Sequence, residues 1–239
     1  AGGTGMLGSY MIREARAEGL NVKSLARSGG DIIADLTNDH DLHRVLDDFK
    51  PEVIINCAGL VDLETCEQHK RLSWALNVGA VATLSGWAQR MQSKLIHIST
   101  DQFISGLGRS ASDEGCSQRI LSTYAAHKFC GEHAALTSNR SLILRTAVTG
   151  ATARLGKPSL WDWAYTAITQ NKKVDLFYDA YTSLIDATTF CRAAIELIRN
   201  DSVGIFNIGS TEVFSKKEFF FEIANQLNVD FLNYKDASV

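Results

Sequence analysis

The feature that most restricts this chain lies at its start, in the run Gly2-Gly3-Thr4-Gly5-Met6-Leu7-Gly8. Gly3, Gly5 and Gly8 fit G-x-G-x-x-G, and Gly2, Gly5 and Gly8 give a second, G-x-x-G-x-x-G, reading of the same residues. This spacing suits a tight turn whose backbone approaches a pyrophosphate with no Cβ in the way, while a helix N-terminus aims at the phosphates. Taken alone, a glycine cluster is also an ordinary turn. The context sharpens it: residues 6–19 have a helical period closed by Gly19, and an apolar stretch of strand length follows at 21–26. A turn of this kind is fed by a strand, none stands ahead of Ala1, and no closing element precedes Val239, so the chain reads as cut at both ends.

Further on, strand-length apolar runs alternate with helical segments. Strands are expected at 31–34, 52–57, 94–99 and 141–146, the second ending at Ala58-Gly59. Helices are expected at 37–50, capped by Asn38 or Asp39, at about 67–91 and at about 121–137, with a Gly/Ser-rich loop over 105–118. Alternation of this kind makes βαβ units and a parallel sheet covered on both faces. After Gly150 the rhythm loosens, although 173–177, 187–199, 204–208 and 215–227 still alternate and only the stretch about 152–163 stands outside the pattern. The expected architecture is α/β: a Rossmann-type doubly wound parallel sheet with a small C-terminal substrate-binding lobe. Residues 1–150 form the dinucleotide-binding domain, and 151–239 supply the lobe while returning strands and helices to the sheet.

Composition removes several function classes. A net charge of −3 offers no basic footprint for nucleic acid. The 5 cysteines are scattered without a CxxC pair, which fits reduced thiols in a cytoplasmic protein. No apolar run is long enough to span a membrane. His69, His97, His127 and His133 show no metal-ligand spacing, so no metal site is expected. His97 alternates within an apolar strand and reads as a core histidine.

The second strand speaks to the choice of dinucleotide. Ala26 stands where an NAD-preferring site places an acid on the ribose hydroxyls, and Arg27 and Ser28 can receive a 2′-phosphate instead. NADP(H) is therefore expected over NAD(H), with NAD(H) left as the alternative. Asp35 and Leu36 lie where such folds contact the adenine, although Asp35 suits a helix cap equally well.

The chemistry is concentrated in Tyr124-Ala125-Ala126-His127-Lys128, whose tyrosine and lysine fall at i and i+4 on one helix face. An ammonium beside a phenol favours the phenolate, so Lys128 is expected to lower the Tyr124 pKa. Ser99-Thr100-Asp101 ends an apolar strand at the carboxyl edge of the sheet, where sites of this fold gather.

The glycine turn, Asn56-Cys57-Ala58-Gly59, Leu76-Asn77-Val78, His97-Ile98-Ser99-Thr100-Asp101, Tyr124-x-x-x-Lys128 with the following Phe129-Cys130-Gly131-Glu132, and Leu144-Arg145-Thr146 stand in the order of the extended short-chain dehydrogenase/reductases. Together they resemble the dTDP-4-dehydrorhamnose reductases most of all, with further similarity at 204–208 and 215–219. The resemblance implies that Thr100 bonds the substrate oxygen, Tyr124 donates the proton and Lys128 holds the nicotinamide ribose. It implies cofactor contacts from Gly2, Gly5, Met6, Leu7, Gly8, Arg27, Ser28, Asp35, Leu36, Cys57, Ala58, Gly59, Asn77, Ser99, Tyr124 and Lys128, and substrate contacts from Thr100, Asp101, Gln102 and Tyr124. The implied activity is NADPH-dependent reduction of a nucleotide-linked 4-keto-deoxysugar in deoxysugar or surface-polysaccharide synthesis, with a homodimer as one assembly the enzyme could form.

Two departures leave the sugar open. Those reductases usually follow Ser-Thr-Asp with an aromatic, where this chain has Gln102-Phe103, and carry a tryptophan soon after Arg-Thr, where it has Ala147-Val148. Trp161 and Trp163 could supply an aromatic, although core packing explains them as well. The alternatives are a nucleotide-sugar epimerase or dehydratase, or a non-catalytic NADP-binding subunit similar to that of methionine adenosyltransferase. A dehydratase needs a second carboxylic acid, which Gln102 is not.

Overall fold

The computed structural model describes residues 1–103, 112–152 and 158–238. Part of the expected 105–118 loop, part of the 152–163 stretch and Val239 lie outside the described residues. The elements are α1 Met6–Ala17, β1 Leu25–Ala26, β2 Ile32–Ile33, α2 Asp39–Phe49, β3 Val53–Asn56, α3 Leu63–Gln68, α4 Lys70–Trp74, α5 Ala80–Met91, β4 Lys94–Ile98, α6 Thr123–Ala135 and β5 Ser141–Thr149. There follow α7 Leu160–Thr169, β6 Val174–Phe177, β7 Tyr181–Thr182, β8 Leu184–Asp186, α8 Ala187–Arg199, β9 Gly204–Ile208, β10 Phe214–Ser215, α9 Lys216–Gln226 and β11 Tyr234–Ala237.

The central sheet is parallel in the order β3-β4-β5-β9, with the registers Ile55↔Ile96, His97↔Ile143 and Leu144↔Phe206. The far end of β5 pairs instead with β8, through Val148↔Ile185. Every residue of β4 is buried, as a central strand covered on both faces requires. Successive side chains then part to opposite faces. Leu95 and Ile143 join a cluster with Leu42, Leu46, Leu84 and Trp87 of α2 and α5. Ile96, Ile98, Leu142 and Leu144 join Met11 and Ala15 of α1 and Phe190 and Ile195 of α8. The Rossmann-type layering read from the alternation is thus what the chain adopts. A third cluster, around Ile168, Leu176, Phe220 and Phe231, packs α7 and α9 beside the parallel pair β6–β11, while α8 and β9 return to the main sheet.

Ala1 runs alongside β3 as it enters the glycine turn. Its amino group donates to the Ile55 carbonyl at 2.6 Å, its carbonyl accepts from Cys57 N–H at 3.1 Å, and Gly2 N–H donates to the Leu25 carbonyl at 2.9 Å. Two expectations need correction. The strand expected over 21–26 shrinks to Leu25–Ala26, because Asp31 takes the Ser24 N–H at 2.8 Å and its hydroxyl at 2.7 Å. The helix expected over 67–91 starts earlier, at Leu63, where Asp62 caps Thr65 N–H at 3.0 Å. It breaks at His69, then resumes as α4 and passes through a π-helical turn, Ala75–Gly79, into α5. Among the described residues no helix is long and apolar enough to cross a membrane.

Candidate active site

The glycine turn is crowded in a way that only missing side chains allow. Gly2 has φ +74°, and a Cβ there would lie 2.6 Å from Ala58 N. A Cβ on Gly8 would lie 2.1 Å from the Gly2 carbonyl oxygen. Helix α1 therefore starts hard against the turn and against the loop after β3. Gly5 is its N-cap, no side chain caps it and its first turn carries no acid. Uncapped N–H groups and the helix dipole make such a terminus suited to an anion.

Arg27 and Ser28 are exposed just past β1. Arg27 lies close enough to Asp35 for its charge to help lower the pKa of that carboxyl, although the larger cause is the Thr37 N–H bond at 2.9 Å. Asp35 thus serves as a turn cap, and Leu36 is buried in the first core cluster. Across the turn, Asn77 holds the loop after β3: its Oδ1 accepts from Leu60 N–H at 3.0 Å and its Nδ2 donates to the Leu60 carbonyl at 2.9 Å. Asn77, one of the expected cofactor contacts, thus has a side chain that positions the 57–60 loop.

Thr100, Tyr124 and Lys128 meet where β4 ends and α6 begins. Ser122 caps α6 by accepting from Ala125 N–H at 3.1 Å, which sets Tyr124 in the first turn. Tyr124 lies beside Thr100, whose side chain favours the phenolate. Burial nonetheless pushes the phenol up to about 12, and the charge of Asp101 adds to the rise. Asp101 is itself raised by burial and accepts from the Thr182 hydroxyl of β7 at 3.1 Å. Gln102 is exposed, and its N–H donates to the Thr100 hydroxyl at 3.3 Å.

Lys128 corrects the expectation about the tyrosine. Its Nζ donates to the Ile98 carbonyl at 2.5 Å and lies 3.3 Å from His97 Nε2, so its charge is spent on the strand end and does not draw the phenol down. Burial lowers the lysine to about 8, against the opposing pull of Glu132 and Cys57. Burial pushes the Cys57 thiol up to about 11 and the charge of Lys128 opposes that rise, which places the lysine beside the loop after β3. The Ser99 hydroxyl is buried at this junction with no hydrogen-bond partner among the described residues. A buried polar atom left so at the end of β4, in a site that also holds an open glycine cradle, fits a polar ligand such as a dinucleotide.

Three site features were missed in the sequence. Glu132 and Arg145 form a buried ion pair at 2.8 Å, with a second bond from Arg145 Nε to Glu132 at 3.0 Å. The same guanidinium donates to the Glu114 carbonyl at 3.1 Å and lies 5.1 Å from the Phe103 ring centre, clamping the segments that flank the site. The signal was present, since Tyr124, Lys128 and Glu132 continue one i, i+4 stripe along α6. His97, taken as a core residue, is buried as expected but also touches Lys128. His127 turns to the Ser73 hydroxyl at 2.9 Å and sits edge-on to Trp74. Trp163 packs on Phe220 and Trp161 stacks on Tyr165, so both tryptophans serve the third core cluster.

A family model described as RmlD substrate binding domain matches residues 1–236. Among curated proteins, a probable low-salt glycan biosynthesis reductase, Agl14, of Haloferax volcanii is 26% identical over 241 residues, 96% of this chain and 79% of that protein. A dTDP-4-dehydrorhamnose reductase of Aggregatibacter actinomycetemcomitans is 34% identical over 116 residues, 48% of this chain and only 40% of that protein's length. Among solved structures, a dTDP-4-dehydrorhamnose reductase from Bacillus anthracis in complex with NADP shares the fold at a TM-score of 0.86, with 23% identity over 100% of this chain and 82% of that one.

Proposed function

The chain belongs to the RmlD substrate binding domain family, within the extended short-chain dehydrogenase/reductases, and from that premise we propose that it reduces the keto group of a nucleotide-linked 4-keto-deoxysugar with NADPH. The observation that carries this is the juxtaposition of Thr100 and Tyr124 at the carboxyl edge of β4, with Lys128 one turn further along α6.

NADPH, when bound, supplies the hydride that reaches the keto carbon. The rest falls to the chain. Gly2, Gly5 and Gly8 leave room for the pyrophosphate against the start of α1, with Met6 and Leu7 opening that helix. Arg27 and Ser28 receive the 2′-phosphate, the backbone of Asp35 and Leu36 flanks the adenine, and Cys57, Ala58 and Gly59, braced by Asn77, wall the central part. Ser99 offers its unpartnered hydroxyl to the nicotinamide end. Thr100 hydrogen-bonds the keto oxygen, and Tyr124 gives that oxygen its proton. A phenol held up to about 12 is fully protonated at neutral pH and is still a stronger acid than the alcohol formed, so its proton passes downhill to the developing alkoxide. Lys128, one turn further along α6, holds the nicotinamide ribose.

Asp101 and Gln102 border the sugar. The Asp101–Thr182 bond ties that border to β7, which supports a substrate lobe formed by chain beyond residue 150. An amide at Gln102 cannot act as the second acid of a dehydratase, which favours reduction over elimination. Nucleotide sugars as substrates also fit a cytoplasmic enzyme. The test is NADPH consumption by the purified chain against a panel of nucleotide 4-keto-sugars. Turnover with at least one of them is expected, with loss in Tyr124→Phe; cofactor binding with no turnover across the panel would instead favour a non-catalytic module.

A further inference from the structure

His97 has a partner on each side. Asn56 Nδ2 lies 3.3 Å from His97 Nδ1, and Lys128 Nζ lies 3.3 Å from His97 Nε2, all of them buried. Helix α6 comes this close because Gly131 faces the ring: a Cβ there would lie 3.4 Å from His97 Nε2 and 2.3 Å from the Asn77 carbonyl oxygen.

The hydrogen bonds decide which ring nitrogen carries the proton. Ala58 N–H donates to Asn56 Oδ1 at 3.2 Å, so the amide oxygen faces Ala58 and the NH2 group faces the imidazole. An NH2 group can only donate, so His97 Nδ1 accepts and is bare. The ring is neutral, since burial and the nearby Lys128 charge hold its pKa well below the ordinary value. Its one proton therefore sits on Nε2, pointing at Lys128.

We propose that His97 is a positioning residue that sets the protonation of Lys128: Asn56 holds the imidazole so that it offers the lysine an N–H and not a lone pair. A neutral Lys128 amine is satisfied in this setting, because it donates to the Ile98 carbonyl and accepts from His97 with its lone pair. An ammonium has no lone pair and meets the ring N–H head on. The pair thus works with burial to disfavour the charged lysine, against Glu132 on α6, itself tied to Arg145 of β5, and Cys57 after β3, which favour it. Tyr124 is the remaining titratable group of this face of α6. A lysine whose charge can be dropped serves the site differently from a fixed cation. That use in catalysis rests on the reductase proposal, whereas the tautomer stands without it.

The test is nitrogen NMR of the full chain labelled in histidine, with the His97 signals identified by their loss in His97→Gln. A protonated and a bare ring nitrogen resonate far apart. Nε2 protonated and Nδ1 bare, from about pH 6 to about pH 9, is the expected pattern. In Asn56→Asp a carboxylate accepts from both Ala58 N–H and the ring, so the proton should move to Nδ1. Carbon NMR of lysine Cε should then show the Lys128 midpoint rising by roughly one unit or more. A wild-type ring protonated on Nδ1, or on both nitrogens, overturns the proposal, as does a ring that switches in Asn56→Asp without moving the Lys128 midpoint. If that variant does not fold, the wild-type tautomer decides. The expected tautomer in a protein that reduces no keto-sugar would refute the reductase proposal and leave the tautomer intact.

Discussion

The two ends of the proposed site are built by opposite means. At the glycine turn the geometry comes from atoms that are absent: Gly2 and Gly8 bring α1 and the 57–60 loop together, and the charged residue nearby, Arg27, is exposed. At the β4–α6 junction the geometry comes from polar atoms that are present and buried, among them His97, Lys128, Glu132 and Arg145. A turn made by removing side chains is tolerant of its surroundings but not of a single added methyl. A junction made of buried charges depends on every partner, because each charge is costly once its mate is gone.

The largest expected effect tests that dependence. Glu132→Gln leaves the Arg145 guanidinium buried without its carboxylate, so stability should fall by about 3–5 kcal/mol, read from urea unfolding. A loss below about 1 kcal/mol would mean that the clamp is dispensable.

Lys128 gives the next contrast through pH. Its folded pKa of about 8 lies below the ordinary lysine value, so the unfolded chain holds the extra proton between the two. Stability contributed by this site is therefore missing at neutral pH and recovers as pH rises from about 8 to about 10. Lys128→Met should unfold at higher urea than the wild type at pH 7, with the gap narrowing by on the order of 2–3 kcal/mol by pH 10. A gap independent of pH would contradict the burial of this charge.

At the other end, Gly8→Ala drives a Cβ into the Gly2 carbonyl, and the strain of roughly 1–3 kcal/mol should appear mainly as weaker dinucleotide binding, measured by fluorescence titration. The smallest effect belongs to the exposed arginine. Arg27→Ala should weaken NADPH about tenfold relative to NADH, and an unchanged ratio would remove Arg27 from the phosphate contact.

The same contrast explains what could be read from the sequence. The glycine turn and the helix after it are local, and both were legible, as were the buried strands β3, β4 and β5 and the Tyr124–Lys128 stripe. What escaped depended on partners far along the chain. Nothing in 21–26 shows that Asp31 takes Ser24 from the strand, or that the break at His69 divides a long helical pattern. The direction of the Tyr124 shift was misjudged for the same reason: i, i+4 spacing puts Lys128 on the right face, but Ile98 and His97 decide where its Nζ goes. His97 looked like a packing residue because its burial is readable from alternation and its two polar contacts are not.

The central claim is that a hydride arrives at a sugar carbonyl whose oxygen is protonated by Tyr124. The most direct measurement is reduction of a nucleotide 4-keto-sugar with NADPH deuterated at the transferred position, followed by mass and NMR analysis of the product. One deuterium at sugar C4 is expected from the wild type. In Tyr124→Phe the transfer should slow by about a hundredfold to ten-thousandfold while the dinucleotide still binds. A wild type that binds the cofactor and delivers no deuterium, or a Tyr124→Phe variant that transfers it at the wild-type rate, would contradict the account.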